Sequence, residues 1–152
     1  MGVFIMKHGQ RRAHTLEEVK NVIRKQDKGT GKKYSRLPLL VDKRMTKCLA
    51  YALTELGSKN GKILRVKAVS FKFSYHFLNA DLTDEQFESI ILHEYLHQYT
   101  NELYLDNCQH DYRFKRTCRE FGHPELGYAV CDREIGRAFD FAILCYKAER
   151  EA

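Results

Sequence analysis

The pattern His93-Glu94-Tyr95-Leu96-His97 places two imidazoles and a carboxylate within five residues. On an α-helix, residues four apart project from the same face about one turn apart, so both histidines can reach one ion. Neutral imidazole nitrogen is a preferred ligand of zinc. Glu94 follows His93 directly and is better placed to hold a metal-bound water, as a general base, than to bind the ion. The motif therefore predicts a hydrolytic zinc site, with His93 and His97 as metal ligands and Glu94 as the catalytic residue.

The third zinc ligand must lie outside the motif, because catalytic zinc sites use three protein ligands and keep a fourth position for water. His110 is favoured: it follows His97 by 13 residues, after a polar turn that lets the chain reverse. Glu120 on the following helix is the alternative. Glu102 is too near His97 on the same helix, and Asp111 is interpreted as a helix N-terminal charge or a partner for an imidazole. The remaining histidines have no ligand-like neighbours in sequence and are expected to be structural or at the surface: His8, His14, His76 and His123.

Two capping-box patterns, in which a threonine precedes a glutamate or glutamine by three residues, predict helix starts after Thr15 and Thr83. The helix after Thr83 carries the H-E-x-x-H motif, with apolar residues on its inward side. A glycine and a proline end the helix that begins near His110. The predicted helices are 16–26, the motif helix to about Tyr104, 110–121, and 132–147, where helical spacing is favoured over alternation.

The segment between the two capped helices is predicted to contain a further helix and a strand. An apolar stripe at helical spacing, followed by a glycine, predicts a helix over 42–56. Residues 64–73 alternate as a strand does, and a phase slip between Ala68 and Val69 indicates a β-bulge or a short hairpin. Residues 27–33 are expected to be a loop, and their glycine spacing does not fit a phosphate-binding loop.

The composition is typical of one globular domain. Of 152 residues, 43% are apolar and 30% are charged, which excludes a disordered chain. No apolar run approaches the ~20 residues of a membrane-spanning helix. The N-terminus does not match a signal peptide, so we expect a cytoplasmic protein without membrane contact. The five cysteines are odd in number and widely spaced, which favours reduced thiols over disulfides or a zinc knuckle.

Charge is distributed unevenly along the chain. Residues 1–67 carry 17 Lys and Arg against 5 Asp and Glu, whereas residues 68–152 carry 9 against 15. Such asymmetry favours a face that binds a polyanion such as DNA, and the alternative is a solvated surface that serves only solubility. The basic residues that cluster in sequence are Lys28, Lys32, Lys33, Arg36, Lys43, Arg44 and Lys47.

Four segments of the sequence, taken in order, resemble the SprT-like (Spartan-type) metallopeptidase domain. They are Val69-Ser70-Phe71, Phe77-Leu78-Asn79, Ile91 to His97, and His110 to Phe114, within about residues 45–121. The resemblance implies zinc ligation by His93, His97 and His110, general-base catalysis by Glu94, and protein substrates attached to or near DNA. Many members continue into a zinc ribbon with paired cysteines, which this sequence lacks.

The sequence thus predicts a compact α+β, zincin-like domain with helices around a small sheet. Residues 1–40 are a basic N-terminal helix and loop extension, and residues 41–152 are the metallopeptidase domain, within one compact unit. The predicted function is a zinc-dependent metalloendopeptidase with a protein substrate and DNA contact through the basic half. Two alternatives remain: a DNA- or protein-binding module with a structural or degenerate zinc site, and a zinc hydrolase that acts on a non-peptide bond.

Overall fold

The computed structural model describes residues 10–128 and 132–151 of the chain. It is a mixed α/β fold in which helices surround a small sheet, as predicted. The sheet order is β1-β3-β2, with β1 parallel and β2 antiparallel to the central β3. Single 3₁₀ turns occur at Tyr34–Arg36 and Pro124–Gly127. The strands are β1 (Leu39–Asp42), β2 (Ala50–Lys59) and β3 (Lys62–Ser74), and the helices are α1 (Leu16–Thr30), α2 (Tyr75–Leu78), α3 (Asp84–Tyr104), α4 (Tyr112–Glu120) and α5 (Arg133–Glu151).

Both predicted capping boxes are present. The Thr15 and Thr83 hydroxyls accept hydrogen bonds from the backbone N–H three residues on, and the side chains there accept from the threonine N–H in return. Helix α1 continues through residues expected to form a loop and ends only at Thr30. Gly31 caps it, with a φ of 80°, the left-handed conformation that glycine adopts without strain. The loop prediction for 27–33 is therefore wrong in its first half.

The helix predicted over 42–56 is wrong, because Ala50–Lys59 forms the edge strand β2. Its partner β3 follows after only two residues, Asn60 and Gly61. Both have positive φ, at 54° and 78°, as the tight turn of a two-residue hairpin requires. Pairing along the whole hairpin outweighs the helical spacing of the apolar residues, which on their own fit an amphipathic helix.

The predicted bulge is confirmed at Val69. Leu53 of β2 pairs with Ser70, and the next residue, Thr54, pairs with Ala68, so Val69 has no partner in the register. One extra residue reverses which side chains face the core, and this accounts for the phase slip in the sequence.

The helices predicted over 110–121 and 132–147 are both present, with shifted boundaries. The second is α5, which continues to Glu151, and its residues Ile135, Phe139 and Ile143 are buried in the core. Helix α4 begins at Tyr112, with Asp111 as its N-cap, so His110 lies two residues before the helix instead of opening it. In the described ranges, no helix is long and apolar enough to cross a membrane.

Helix α3 is the element that positions the motif, and it is buried on most of its sides. It packs against α1, α4 and strand β2. Its N-terminal half contributes Phe87, Ile90 and Ile91 to the core. Its second half also buries polar side chains, among them Gln98 and Asn101. These need hydrogen-bond partners, and the sheet supplies them.

Candidate metal centre

Three imidazoles converge beside helix α3. His93 and His97 project from neighbouring turns, and the loop before α4 brings His110 to them. The Nε2 atoms of His93 and His97 are 3.1 Å apart, those of His93 and His110 3.1 Å, and those of His97 and His110 3.2 Å. We call these three residues the histidine cluster.

A hydrogen bond fixes the tautomer of His93. Its Nδ1 lies 2.8 Å from the carbonyl oxygen of Leu126. A carbonyl only accepts, so Nδ1 carries the proton and the lone pair of Nε2 points into the cluster. Burial lowers the pKa of His93 to about 4 and that of His97 to about 3, and it also lowers the pKa of His110. The rings are therefore neutral near pH 7, the state that binds a metal.

The spacing of the cluster fits a zinc ion. Tetrahedral coordination with Zn–N distances of ~2.0–2.1 Å separates ligand atoms by about 3.3 Å. The three observed separations are 3.1–3.2 Å. Without a cation, the three nitrogen lone pairs would repel each other at this distance or require an extra proton. The three nitrogen atoms are therefore better suited to binding a metal ion than to contacting one another.

Phe114 of α4 packs against all three rings of the histidine cluster. It is fully buried, and its ring stacks on His97 with centroids 4.0 Å apart and an interplanar angle of 8°. It also contacts the rings of His93 and His110 edge-on. Phe114 follows His110 by four residues and so lies one turn into α4, yet the sequence alone gives it no role beyond the family pattern.

The loop that carries His110 is held to the end of α3. Leu105 and Gln109 adopt left-handed backbone conformations, with φ of 54° and 49°, and so reverse the chain. Asn101 accepts a hydrogen bond from the N–H of Cys108 at 2.8 Å and donates to the hydroxyl of Thr54 at 3.0 Å. One buried amide therefore links the loop, the helix and strand β2.

Glu94 lies beside the cluster on the side of strand β2. Its carboxylate oxygen is 4.0 Å from Nε2 of His93, and 7% of the residue is exposed. Burial raises the pKa of Glu94 to about 8, and a hydrogen bond from the backbone of Ala52 opposes this shift. The carboxyl group therefore needs a positive charge nearby to be ionised at neutral pH.

The cluster and Glu94 open into a cleft of about 610 Å³. Its walls come from the beginning of β2, from α3, from the His110 loop and from the first turns of α5. The floor is largely apolar, with Ile90 and Phe139 among its residues. A chain segment can therefore reach the histidines from solvent.

The sequence model of the SprT-like family matches residues 10–133. The chain belongs to the SprT-like family. The resemblance noted from the motifs is thus confirmed, and the matched range contains the histidine cluster, Glu94 and Phe114. No curated protein and no solved structure matches the chain.

The other acidic candidates of this SprT-like chain lie elsewhere. Glu120 is exposed and pairs with Arg116 at 3.0 Å. Glu102 accepts a hydrogen bond from the Tyr34 hydroxyl and pairs with Lys32. Asp111 accepts from two backbone N–H groups as the N-cap of α4, the role that its position predicts. Among the described residues, neither glutamate joins the histidine cluster.

His14 departs from the sequence prediction, because it does have ligand-like neighbours in space. Its Nε2 is 2.9 Å from a carboxylate oxygen of Asp84, with Glu18 nearby. Arg12 already pairs with both carboxylates, at 2.5 Å to Glu18 and 3.0 Å to Asp84. A guanidinium therefore occupies the place that a cation would take, and this group ties the N-terminal segment to α1 and α3.

The remaining histidines agree with structural or surface roles where they are described. His76 is buried and bonds through Nε2 to the carbonyl oxygen of Lys43 at 2.7 Å. His123 lies 3.5 Å from a carboxylate oxygen of Glu125 near the surface. His8 lies outside the described residues.

Proposed function

We propose that this SprT-like protein is a zinc-dependent metallopeptidase of zincin-like architecture. His93, His97 and His110 bind the ion, and Glu94 is the catalytic residue. The observation that carries the proposal is the convergence of three Nε2 atoms within 3.2 Å beside a buried carboxylate at an open cleft. Membership of the family supports it.

The protein's residues divide the chemistry between them. When bound, zinc supplies a Lewis acid that polarises a carbonyl group and acidifies a water molecule. Glu94 accepts the proton of the attacking water and passes it to the leaving amine nitrogen. Burial favours the protonated form of Glu94. Its carboxylate lies 4.0 Å from Nε2 of His93, so a cation held by the histidine cluster would favour the ionised form that a base requires.

The wall of the cleft supports a polypeptide as the substrate. Strand β2 is at the edge of the sheet, and residues Ala50 to Ala52 line the cleft. An edge strand can pair with an extended peptide through backbone hydrogen bonds. Such pairing would present a peptide bond to Glu94 and the histidines, which favours a peptidase over hydrolysis of a small non-peptide substrate.

Metal content tests the ligand set. We expect about one zinc ion per chain by elemental analysis of protein purified without chelators. His110→Ala should lose most of this zinc, whereas Glu120→Ala should retain it, because Glu120 is exposed and paired with Arg116. The opposite pattern would contradict the assignment of His110.

Glu94→Gln tests the reaction separately from the metal. Glutamine preserves the shape of the side chain and does not accept a proton near neutral pH. We expect zinc content and melting temperature to stay within experimental error while hydrolysis of an unfolded protein substrate falls by at least about 100-fold. Full activity in this variant would refute Glu94 as the base.

The activity of the zinc-loaded wild-type protein separates a peptidase from a protein with a structural zinc site. A closed structural site needs a fourth protein ligand. Among residues 10–128 and 132–151, no fourth histidine, cysteine or carboxylate joins the histidine cluster. A zinc-loaded wild-type protein that hydrolyses no peptide bond would favour the binding-module alternative.

We also propose that the basic half contacts DNA, through Lys28, Lys33 and Arg36 near the end of α1. All three are exposed, whereas Lys32 pairs with Glu102 at 3.3 Å. The basic residues 43–47 lie beyond the other end of β1 and form a separate group. Replacing the three exposed residues with Glu should weaken duplex binding and reduce the slope of log affinity against log salt. Unchanged affinity and slope would refute this surface as the contact.

A further inference from the structure

The first turns of helix α5 form one wall of the cleft. Asp132, which directly precedes the helix, and Gly136 and Phe139 within it line the cleft at spacings of four and three residues. This spacing places them on one face of the helix. The family match ends at Arg133, so nearly all of α5 lies outside the matched range. The sequence model of the family therefore does not describe this wall.

The wall is fixed to the domain. Ile135 and Ile143 of α5 are buried in the core. Glu134 accepts hydrogen bonds from the side chains of Arg11 and Gln86, at 2.5 Å and 2.9 Å, and so ties the first turn of α5 to the beginning of α3. A wall held by both packing and polar contacts defines the width of the cleft.

Gly136 leaves a gap in this wall. A Cβ atom built on Gly136 meets no atom within 4 Å, and its φ is not in the left-handed range. Neither the backbone conformation nor a close contact therefore requires glycine, although glycine is a poor helix former. Gly136 is exposed and lines the same cleft as Ile90 and Phe139, so the absent side chain leaves this part of the cleft open.

We propose that Gly136, Phe139 and Ile90 form a subsite that accepts one bulky apolar side chain of the polypeptide substrate. Ile90 and Phe139 make the floor apolar, and the core holds them in place, since they are 2% and 5% exposed. The gap at Gly136 supplies the room, and the histidine cluster lines the same cleft. This inference rests on the proposed peptidase function and adds a substrate preference to it.

Gly136→Leu tests the subsite because it fills the gap without straining the fold. The substrates are quenched fluorogenic peptides in pairs that carry Phe or Ala at one position, scanned over the residues around the cleaved bond. The wild type should prefer Phe at one position by about tenfold or more in kcat/KM. Gly136→Leu should remove or reverse this preference, because the added side chain should lower kcat/KM for the Phe peptide about tenfold more than for the Ala peptide.

Gly29→Leu is the matched control. Gly29 is also helical, exposed, and free of atoms within 4 Å of a built Cβ, but it lies in α1 and does not line the cleft. It should leave the Phe preference unchanged. An unchanged preference in Gly136→Leu, or equal rates for Phe and Ala peptides in the wild type, would overturn the subsite.

A binding measurement separates the subsite from the reaction. The Glu94→Gln protein should bind the labelled Phe peptide about tenfold more tightly than the Ala peptide by fluorescence anisotropy, and adding Gly136→Leu should abolish the difference. Selective binding without hydrolysis by the wild type would support the subsite and contradict the proposed reaction. Equal binding of the two peptides would overturn the subsite whatever the activity.

Discussion

Replacing Phe114 with leucine should weaken metal binding, although the phenylalanine side chain has no atom that could bind a metal. The Phe114 ring stacks on His97 at 4.0 Å and contacts the rings of His93 and His110. Leucine keeps the site apolar but leaves the His97 ring free to rotate. Removing groups that orient metal-binding histidines typically costs 10–100-fold in affinity, or about 1.4–2.7 kcal/mol.

Phe87→Leu supplies a matched control elsewhere in the core. Phe87 is 1% exposed and stacks on His14 with centroids 4.1 Å apart at 8°, nearly the geometry of Phe114 on His97. Both variants lose a buried aromatic stack and some packing, about 1–3 kcal/mol each. For a chain of this length, that lowers the melting temperature of the metal-free protein by roughly 3–10 °C.

The assay is the melting temperature with and without zinc at a buffered free concentration, together with competition against a chelator. Zinc binding to the folded state raises stability according to the ratio of free zinc to Kd. The zinc-induced rise should therefore shrink by roughly 3–10 °C in Phe114→Leu and stay at the wild-type value in Phe87→Leu. An equal zinc response in the two variants would refute the orienting role of Phe114.

Two further predictions concern the fold around the site. Gln98→Ala should lower stability by about 2–4 kcal/mol in denaturant titrations, because the buried amide donates to the carbonyl oxygens of Leu53 and Ser70, at 2.9 Å and 3.0 Å, which then lose these partners. Hydrogen bonds from Arg12 lower the pKa of Glu18 to about 2, below its ordinary 4.5. The ion pair therefore stabilises the folded state above about pH 4.5, and this contribution is lost as the pH falls toward 2. Glu18→Gln should therefore lower the melting temperature at pH 6 and flatten its decline below pH 4.5. A decline as steep as that of the wild type would contradict this role.

The sequence predicts the parts of the site that depend on local signals. A capping box and helical spacing define α3, and the geometry of a helix then places His93 and His97 on one face. The ligand number of catalytic zinc and a chain reversal of plausible length favour His110 as the third ligand, with Glu120 as the alternative. The backbone carbonyl of Leu126, by contrast, carries no side-chain signal, and its contact with His93 spans 33 residues of chain.

Strand β2 shows why the sheet was harder to predict than the motif helix. Its apolar residues do not alternate strictly, because consecutive residues from Ala50 to Thr54 are buried or half-buried and both faces of this part of the strand are covered. The usable signal was the dipeptide Asn60-Gly61, a strong local indication of a two-residue hairpin. Reading it as a hairpin requires a strand on each side, which excludes the helix over 42–56.

The bulge at Val69 also contributes to the placement of Glu94 and the two motif histidines. Next to it, Gln98 bonds to the carbonyl oxygens of Leu53 and Ser70, and the Thr54 hydroxyl donates to Gln98 in return. These bonds fix the rotation of α3 against β2. Gln98 lies one turn after Glu94, on the same side of the helix. With Gln98 bonded beside the bulge, Glu94 faces β2. The adjacent side of α3, which bears His93 and His97, then faces His110.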